Sequence, residues 1–290
     1  MASTHRVWFI TGAGRGLGRA FTEVALAAGD RVVATARRPE ALDALAAEHP
    51  DALRVLALDV RDRAAVFAVV ERAVAAFGRL DVVVNNAGYG LVGAAEEVAE
   101  EEARALLDTL VLGPLWVTQA VLPHLREQGS GHIVQISSTG GVGALPLFGL
   151  YNAGKWALEG LSEALAGEVA GAGIRVTIAE LGGFATDWAG PSMRFAAPLA
   201  AYDDLRTALF GSPAVPWPLP ADGAAPSEGA DPRMAAVALL VHVDRGDGPL
   251  RLLVGDDAPD HVAIALDRRR ADYVRDPRFA WPSEAPVPAP

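Results

Sequence analysis

The fold of this 290-residue chain is decided by the stretch Thr11-Gly12-Ala13-Gly14-Arg15-Gly16-Leu17-Gly18, which joins an apolar run at Val7–Ile10 to a helical pattern beginning near Gly16. Glycines let the backbone turn tightly and approach a bound group closely, and a helix start presents free N–H groups with a partial positive charge. Any tight strand-to-helix turn can look like this. Its place after a first buried strand favours a cradle for the pyrophosphate of a dinucleotide, although the spacing is Gly-x3-Gly-x-Gly rather than Gly-x-Gly-x-x-Gly.

Downstream of the glycine stretch, short apolar runs alternate with helical patterns. Strands that are apolar throughout and separated by helices predict a parallel sheet covered on both faces. Right-handed crossovers make it a doubly wound, Rossmann-type α/β fold with ligands at the carboxyl ends of the strands. The predicted strands are Val7–Ile10, Arg31–Ala36, Leu53–Leu58, Val82–Val84, Ile133–Ser137, Arg175–Ala179 and Leu250–Val254. The predicted helices run from Gly16 to Ala28, from Pro39, from the N-cap Asp62 to near Gly78, and over Glu101–Glu127, Leu150–Ala170 and Asp231–Val243.

A single domain, residues 1–281, is expected, because α/β folds of this length are often undivided. The alternation breaks over residues 182–232, which are rich in glycine, proline and alanine. A loop this long is either a surface loop or a lid over a substrate, and we predict the lid. Residues 282–290 are predicted to form a flexible tail.

The composition excludes several classes of protein. Hydrophobic residues make up 51% of the chain and charged residues 21%, which is enough for a large core and too apolar for a disordered chain. The net charge is −11 and no long basic run exists, so neither nucleic acid nor an anionic membrane is an expected partner. Cysteine is absent, which excludes disulfides, thiolate zinc sites and cysteine nucleophiles.

Targeting segments and metal sites are not expected either. No apolar run approaches membrane-spanning length, and Met1 to Arg6 leave no room for a signal peptide before the first strand. His124 and His132 have no partner at metal-ligand spacing, so no metal is predicted. We therefore expect a cytoplasmic protein whose partner is a small-molecule substrate.

The end of the second strand predicts which dinucleotide binds. NAD binding favours a carboxylate there for the ribose diol, but this chain has Ala36 followed by Arg37 and Arg38, with Arg15 in the glycine stretch. Guanidinium groups would attract a 2′-phosphate that a carboxylate would repel. The alternative is that the two arginines only solvate a helix start. We predict NADP(H), with Arg37 on its 2′-phosphate.

Two further strand ends suit the same cofactor. Asp59 ends the third strand, where a carboxylate can reach the adenine edge or simply cap the next turn. Asn85-Asn86-Ala87-Gly88 ends the fourth strand, where small residues let the backbone lie along the adenosine ribose, although such strand ends also occur purely as turns. The positions predicted to touch the dinucleotide so far are Gly12, Arg15, Gly16, Leu17, Gly18, Arg37, Asp59, Asn86, Ala87 and Gly88.

A candidate reactive group lies further along the chain. Tyr151 and Lys155 are four residues apart in a helical pattern and so share a face, and Ser138 ends the fifth strand at the ligand-binding edge of the sheet. A phenol, with a reference pKa of about 10, is a poor acid–base catalyst at neutral pH. A neighbouring ammonium group would favour the phenolate. A tyrosine and a lysine at this spacing are usually just an exposed pair, so the hypothesis depends on Ser138 and the glycine stretch.

Taken together, these motifs resemble the short-chain dehydrogenase/reductase family in its compact single-domain branch, over roughly residues 5–190. The resemblance is carried by Thr11–Gly18, Asn85–Gly88, Gly131-His132-Ile133-Val134 leading to Ser137-Ser138, and Tyr151-x-x-x-Lys155. The thirteen-residue step from Ser138 to Tyr151 also matches the family.

The resemblance implies a role for each matched residue. Tyr151 would be the proton donor or acceptor, Lys155 would bind the nicotinamide ribose and lower the tyrosine pKa, and Ser138 would orient the carbonyl or hydroxyl. Val60 would join Asp59 at the adenine. The resemblance also implies a homodimer or homotetramer. Two residues after the sixth strand would touch the nicotinamide amide and a phosphate, namely Phe184 and Thr186.

The chain departs from the family at three positions. Leu181 stands where the family usually has proline, and Gly154 stands where a serine usually precedes the lysine. The important departure is Leu110, since the family places there an asparagine that kinks the helix and holds a water linking the lysine to solvent. Leucine does neither through its side chain.

Three functions remain open. The favoured one is an NADP(H)-dependent oxidoreductase acting on a carbonyl or secondary alcohol. The second is an isomerase, dehydratase or cyclase with no net redox turnover, which Leu110 favours. The third is a non-catalytic, cofactor-binding regulator, which the intact Ser138, Tyr151 and Lys155 argue against. An apolar or aromatic substrate is expected if the large apolar residues line a pocket rather than pack the lid down. Those residues are Leu91, Leu145, Phe148, Trp188, Phe195 and Trp217.

Overall fold

A computed structural model of the chain describes residues 5–280 except 187, 189, 191 and 217–228. Its strands are β1 Val7–Ile10, β2 Arg31–Ala36, β3 Leu53–Ala57, β4 Val82–Asn85, β5 Leu91–Val92, β6 Gly131–Ile136, β7 Ile174–Leu181, β8 Arg194–Phe195 and β9 Arg251–Val254. Seven of them form one parallel sheet in the order β3-β2-β1-β4-β6-β7-β9, and β5 pairs with β8. The predicted doubly wound fold is confirmed.

Helices cover both faces of the large sheet. The α-helices that the structure describes are α1 Gly16–Ala27, α2 Asp43–Glu48, α3 Arg63–Phe77, α4 Glu100–Leu107, α5 Gly113–Gln128, α6 Gly149–Val169, α7 Asp203–Phe210, α8 Pro232–Arg245 and α9 Ala258–Tyr273. Trp8 and Ile10 pack with α1 and α8 on one face, whereas Val7 and Phe9 pack with α3, α5 and α6 on the other. Since side chains alternate along a strand, β1 contributes side chains to the core layers on both faces of the sheet.

The predicted long helix is interrupted. Residues 100–128 are helical throughout, but Asp108–Leu112 is a π-helical turn between α4 and α5, in which the Gly113 N–H donates to the Asp108 carbonyl. By length and composition this helix is apolar enough to cross a membrane, so the expectation that no such run exists was wrong. Half of its apolar window is buried within the protein, as in the core helix of a globular domain.

The segment predicted as a lid contains regular structure that the sequence analysis missed. β8 and α7 lie within it, and Arg206 of α7 forms a buried ion pair with Glu97, Nη1 to Oε1 at 2.6 Å. Glu97 also accepts a hydrogen bond from the Leu199 N–H at 2.7 Å. These contacts attach α7 to the domain, and closure over a substrate stays a prediction. Trp217 and the predicted tail 282–290 lie outside the described residues.

A buried threonine is hydrogen-bonded to two histidines, away from the carboxyl ends of the strands. The Thr177 hydroxyl of β7 lies 2.8 Å from Nε2 of His132 and 2.8 Å from Nε2 of His242. Burial lowers the pKa of His132 to about 3, and it lowers the pKa of His242 as well. Both rings are therefore neutral in the folded protein at neutral pH.

Because the buried His132 is neutral in the folded protein, we predict that the protein loses stability in acid. Below pH 6.5 the unfolded chain binds a proton that folded His132 does not, so the free energy of unfolding is expected to fall by about 2 kcal/mol between pH 6.5 and pH 5 from His132 alone. Urea denaturation from pH 7.5 to 5 checks this. His132→Gln should flatten the dependence of the free energy of unfolding on pH. His49→Gln, which lies outside this hydrogen-bonded group, is the control. Equal slopes in the parent and His132→Gln would contradict the prediction.

Candidate active site

A cavity of about 540 Å³ opens at the carboxyl ends of the strands. It contains every residue that the sequence analysis assigned to a cofactor or to catalysis. From the glycine stretch to β7 these are Gly12, Arg15, Gly16, Leu17, Gly18, Arg37, Asp59, Val60, Asn86, Ala87, Gly88, Ser138, Tyr151, Lys155, Phe184 and Thr186. The tertiary structure thus brings them into one site, while their individual roles stay predictions.

The glycine stretch has the geometry of a phosphate cradle. Gly12 and Gly16 adopt φ angles of +67° and +53°, and a Cβ at Gly18 would lie 2.3 Å from the Gly12 carbonyl oxygen. Asn86 holds the loop through Nδ2, which donates to the Thr11 carbonyl at 2.8 Å. No side chain caps the start of α1, so its first N–H groups are available to an anion. This cradle fits the pyrophosphate of a dinucleotide.

One end of the cavity is rich in guanidinium groups. β2 ends at the buried Ala36, and the exposed Arg37 and Arg38 follow it. Asp59 accepts a two-pronged hydrogen bond from Arg61, which together with the more distant Arg37 holds its carboxyl pKa below the ordinary range. The site therefore offers cations to a 2′-phosphate at the place where a carboxylate would favour NAD.

Ser138, Tyr151 and Lys155 meet at the other end. Ser138 and Tyr151 are hydrogen-bonded through their hydroxyls, and Lys155 Nζ donates to the Ile136 carbonyl at 2.6 Å. Burial lowers the pKa of Lys155 to about 8, against the opposing charge of Glu159. Burial also raises the pKa of Tyr151 to about 12. The expected lowering of this pKa by the lysine is not found. The Ser138 hydrogen bond lowers the pKa, but burial outweighs that effect, so Tyr151 holds its proton at neutral pH.

Leu110 lies in the π-helical turn beside this group. It is buried, and a Cβ at Gly88 or at Gly154 would lie 3.0 Å from its methyl groups. The two departures Leu110 and Gly154 are therefore in contact, and the glycine leaves room for the leucine. The helix keeps an irregular turn here without the asparagine, because the backbone itself adopts the wider π-helical hydrogen bonding.

Aromatic side chains surround the tyrosine. Trp188 lies 5.4 Å from Tyr151 between ring centroids and stacks on Phe148 at 6.2 Å. Of the described residues predicted as pocket walls, Trp188 alone lines the cavity. Leu91 and Phe195 pack in the same apolar cluster. Leu145 does not; its side chain is 47% exposed.

Several residues of the cavity were missed by the sequence analysis. They are Arg61, Tyr89, Thr109, Ser192, Asp257 and His261. Asp257 Oδ2 accepts a hydrogen bond from the Gly183 N–H at 2.9 Å. A signal existed, since Gly255 and Asp257 directly follow the last strand, whose carboxyl end belongs to the same edge. Within the part of the chain that the structure describes, no group of three or more histidine, aspartate or glutamate side chains is arranged to hold a metal.

Comparison with known proteins agrees with this geometry. Residues 6–195 match the short chain dehydrogenase family. The chain is 40% identical over 263 residues to oxidoreductase BOA17 of Botryotinia fuckeliana, which covers 90% of this chain and 93% of that protein. It superposes on a short-chain dehydrogenase from Streptomyces avermitilis with a TM-score of 0.84 and 42% identity, over 95% of this chain and 97% of that one.

The chain therefore belongs to the short-chain dehydrogenase/reductase family and is an oxidoreductase of that family. Structural relatives carry nicotinamide cofactors of both kinds. A metagenomic short-chain oxidoreductase, 34% identical over 61% of this chain and 82% of its own, with a TM-score of 0.58, was solved with NADP. Other structural neighbours were solved with NAD or NADH.

Proposed function

We propose that this protein is an NADP(H)-dependent ketoreductase or alcohol dehydrogenase that acts on a carbonyl or secondary alcohol of an apolar substrate, with Tyr151 as the acid or base. The observation that carries the proposal is that Ser138 and the buried Tyr151 and Lys155 share one cavity with the phosphate cradle.

The chemistry of reduction divides between cofactor and protein. A bound reduced nicotinamide supplies the hydride. Tyr151 donates its Oη proton to the carbonyl oxygen, since its raised pKa keeps the phenol neutral until then. Ser138 orients the same oxygen by its hydroxyl. Lys155 is mostly protonated at pH 7, and its charge stabilises the tyrosinate that is left.

NADP(H) is favoured over NAD(H) by the charges around the end of β2. Arg15, Arg37 and Arg38 all line the cavity there, and Ala36 leaves no carboxylate to repel a phosphate. The NADP complex of the 34% identical relative is consistent with this preference.

The substrate class follows from the aromatic wall. Trp188 and Phe148 both pack against the Tyr151 ring, and Phe210 packs edge to face on Phe148. This apolar surrounding favours an aromatic or long apolar group next to the reacting carbonyl. A homodimer or homotetramer and a cytoplasmic location stay predictions from the resemblance and the composition.

The test is NADPH oxidation, followed by absorbance, with aryl ketones, long-chain ketones and aldehydes, and short polar ketones. We expect turnover with the first two sets and weaker turnover with the third, and slower turnover with NADH. Product formed without a change in nicotinamide absorbance would support an isomerase, dehydratase or cyclase instead. Nucleotide binding without any product would support a regulator.

Leu110→Asn measures what the absent asparagine does. The neighbouring Thr109 lines the cavity, but its hydroxyl already donates to the Ala105 carbonyl at 2.8 Å. We expect little change in kcat or its solvent isotope effect, because a backbone carbonyl of the π-helical turn can hold the water. A large gain in kcat would show that the missing side chain limits proton exchange with solvent. No turnover in either form, despite tight NADPH binding, would favour the non-redox alternative.

A further inference from the structure

One face of α6 contacts three successive residues at and just after the end of β6, namely Ile136, Ser137 and Ser138. Tyr151 is hydrogen-bonded to Ser138, Lys155 donates to the Ile136 carbonyl, and Glu159, one turn further on, accepts a hydrogen bond from the Ser137 hydroxyl at 2.6 Å. Residues four apart on a helix share a face, so the three contacts form one row. The first two belong to the site already described, whereas Glu159 does not.

Glu159 is a buried carboxylate in close packing. Its exposed fraction is 6% and that of Ser137 is 3%. A Cβ at Gly141 would lie 2.6 Å from Ser137 Oγ and 2.9 Å from Glu159 Oε1, so the contact has no room for another side chain. Burying a carboxylate is unfavourable unless it is paired and hydrogen-bonded, so this position demands partners.

The cationic partner in contact with Glu159 is Arg251, which two further carboxylates share. Arg251 of β9 lies 3.3 Å from Glu159, 2.9 Å from Glu163 of α6 and 3.2 Å from Glu180 of β7. Lys155 is the second cation of the cluster. Burial and the charge of Glu159 raise the pKa of Glu180 to about 7, so the Glu180 carboxylate is partly protonated near neutral pH.

We propose that Glu159 is a positioning residue of this oxidoreductase site, which fixes Ser137 between the lysine-bound Ile136 and the catalytic Ser138 and places a negative charge one turn from the Lys155 ammonium group. The inference rests on the proposed function for its effect on turnover. Its electrostatic part concerns Lys155 alone and holds whether or not the protein turns over. Glu159 is the charged group that acts on Lys155, whose Nζ lies 5.8 Å from the centroid of the Tyr151 ring. The charged groups packed around Glu159 are Arg251, Glu163 and Glu180.

The chain contains a single lysine, which makes the electrostatic part directly measurable. Protein labelled with 13Cε-lysine gives one lysine resonance, and its shift against pH reports the Lys155 pKa. We expect a midpoint near 8 in the parent. Glu159→Gln should lower it by about 1 pH unit, because an opposite charge has been removed. Glu163→Gln, which also contacts Arg251 but is exposed, is the matched control and should leave the midpoint unchanged.

Measurements of turnover separate the electrostatic effect of Glu159 on Lys155 from its effect on the position of Ser137. Glu159→Gln keeps an acceptor for Ser137, so kcat at low pH should stay near the parent value while the alkaline limb moves down with the lysine midpoint. Glu159→Ala also loses that contact and should lower kcat about ten-fold, as expected for one lost buried hydrogen bond. Ser137→Ala removes only the hydroxyl, so it tests the same Ser137–Glu159 hydrogen bond if Glu159→Ala folds poorly. It should also lower kcat about ten-fold.

An unchanged Lys155 midpoint in Glu159→Gln overturns the electrostatic part, and parent-like kcat in Ser137→Ala and Glu159→Ala overturns the positioning part. A parent that oxidises no NADPH with any carbonyl overturns the proposed function instead, and the lysine titration then still decides whether Glu159 sets the charge of Lys155.

Discussion

Tyr151→Phe is expected to lower kcat with NADPH and the best ketone by about 10²–10⁴-fold while leaving NADPH binding nearly unchanged. The substitution removes only the Oη group, which is the proton donor in the proposed reduction. The ring stays, so its contacts with Trp188 and Phe148 are kept. The measurement is steady-state NADPH oxidation together with NADPH fluorescence titration.

The matched control is Tyr273→Phe, which changes an exposed tyrosine of α9 in the same way. It should behave as the parent does. A Tyr151→Phe protein that retains most of its kcat would remove this residue from the mechanism. Lost NADPH binding would show instead that the hydroxyl is needed for the cofactor site.

Arg37→Ala is expected to weaken NADPH binding by about 10- to 100-fold and leave NADH binding nearly unchanged. A guanidinium–phosphate pair contributes about 1.5–3 kcal/mol, and only NADPH has the 2′-phosphate. Arg37 is exposed at the cavity edge next to Ala36, so its loss leaves no buried charge unpaired. Fluorescence titration with both cofactors gives the two dissociation constants.

Arg104→Ala, on the exposed side of α4, is the control for the loss of one positive charge. Equal losses for NADPH and NADH in Arg37→Ala would show that Arg37 is structural. A loss only in Arg38→Ala would assign the 2′-phosphate to the neighbouring arginine.

Most elements of the sheet were predictable because their signals are local. The strand Arg31–Ala36 was predicted with its observed bounds, and Asp62 caps α3 by accepting from the Ala65 N–H at 3.0 Å. β5, β8, α7 and α9 were missed. The two short strands have only two residues each, too few for a period, and α9 has an exposed, charged sequence without a clear apolar stripe.

The candidate site was also predictable only where its signals are local in the sequence. The glycine stretch and the tyrosine–lysine spacing are readable in the sequence, because each depends on residues close together in the chain. The buried state of Tyr151 was not readable, and it reverses the expected direction of the tyrosine pKa. Burial depends on what packs over the residue, and here that includes Trp188, which is 37 positions away.

The sequence by itself determined the parallel doubly wound sheet, the cradle and the reactive trio, since strand period, turn chemistry and helix spacing act over short stretches of chain. Only the tertiary structure decided that Glu159 meets Ser137, 22 residues earlier, and Arg251, 92 residues later. It also decided that Leu110 packs against Gly88 and Gly154. Such contacts depend on how β6, α6 and β9 are placed side by side, and no local pattern encodes the distance between them.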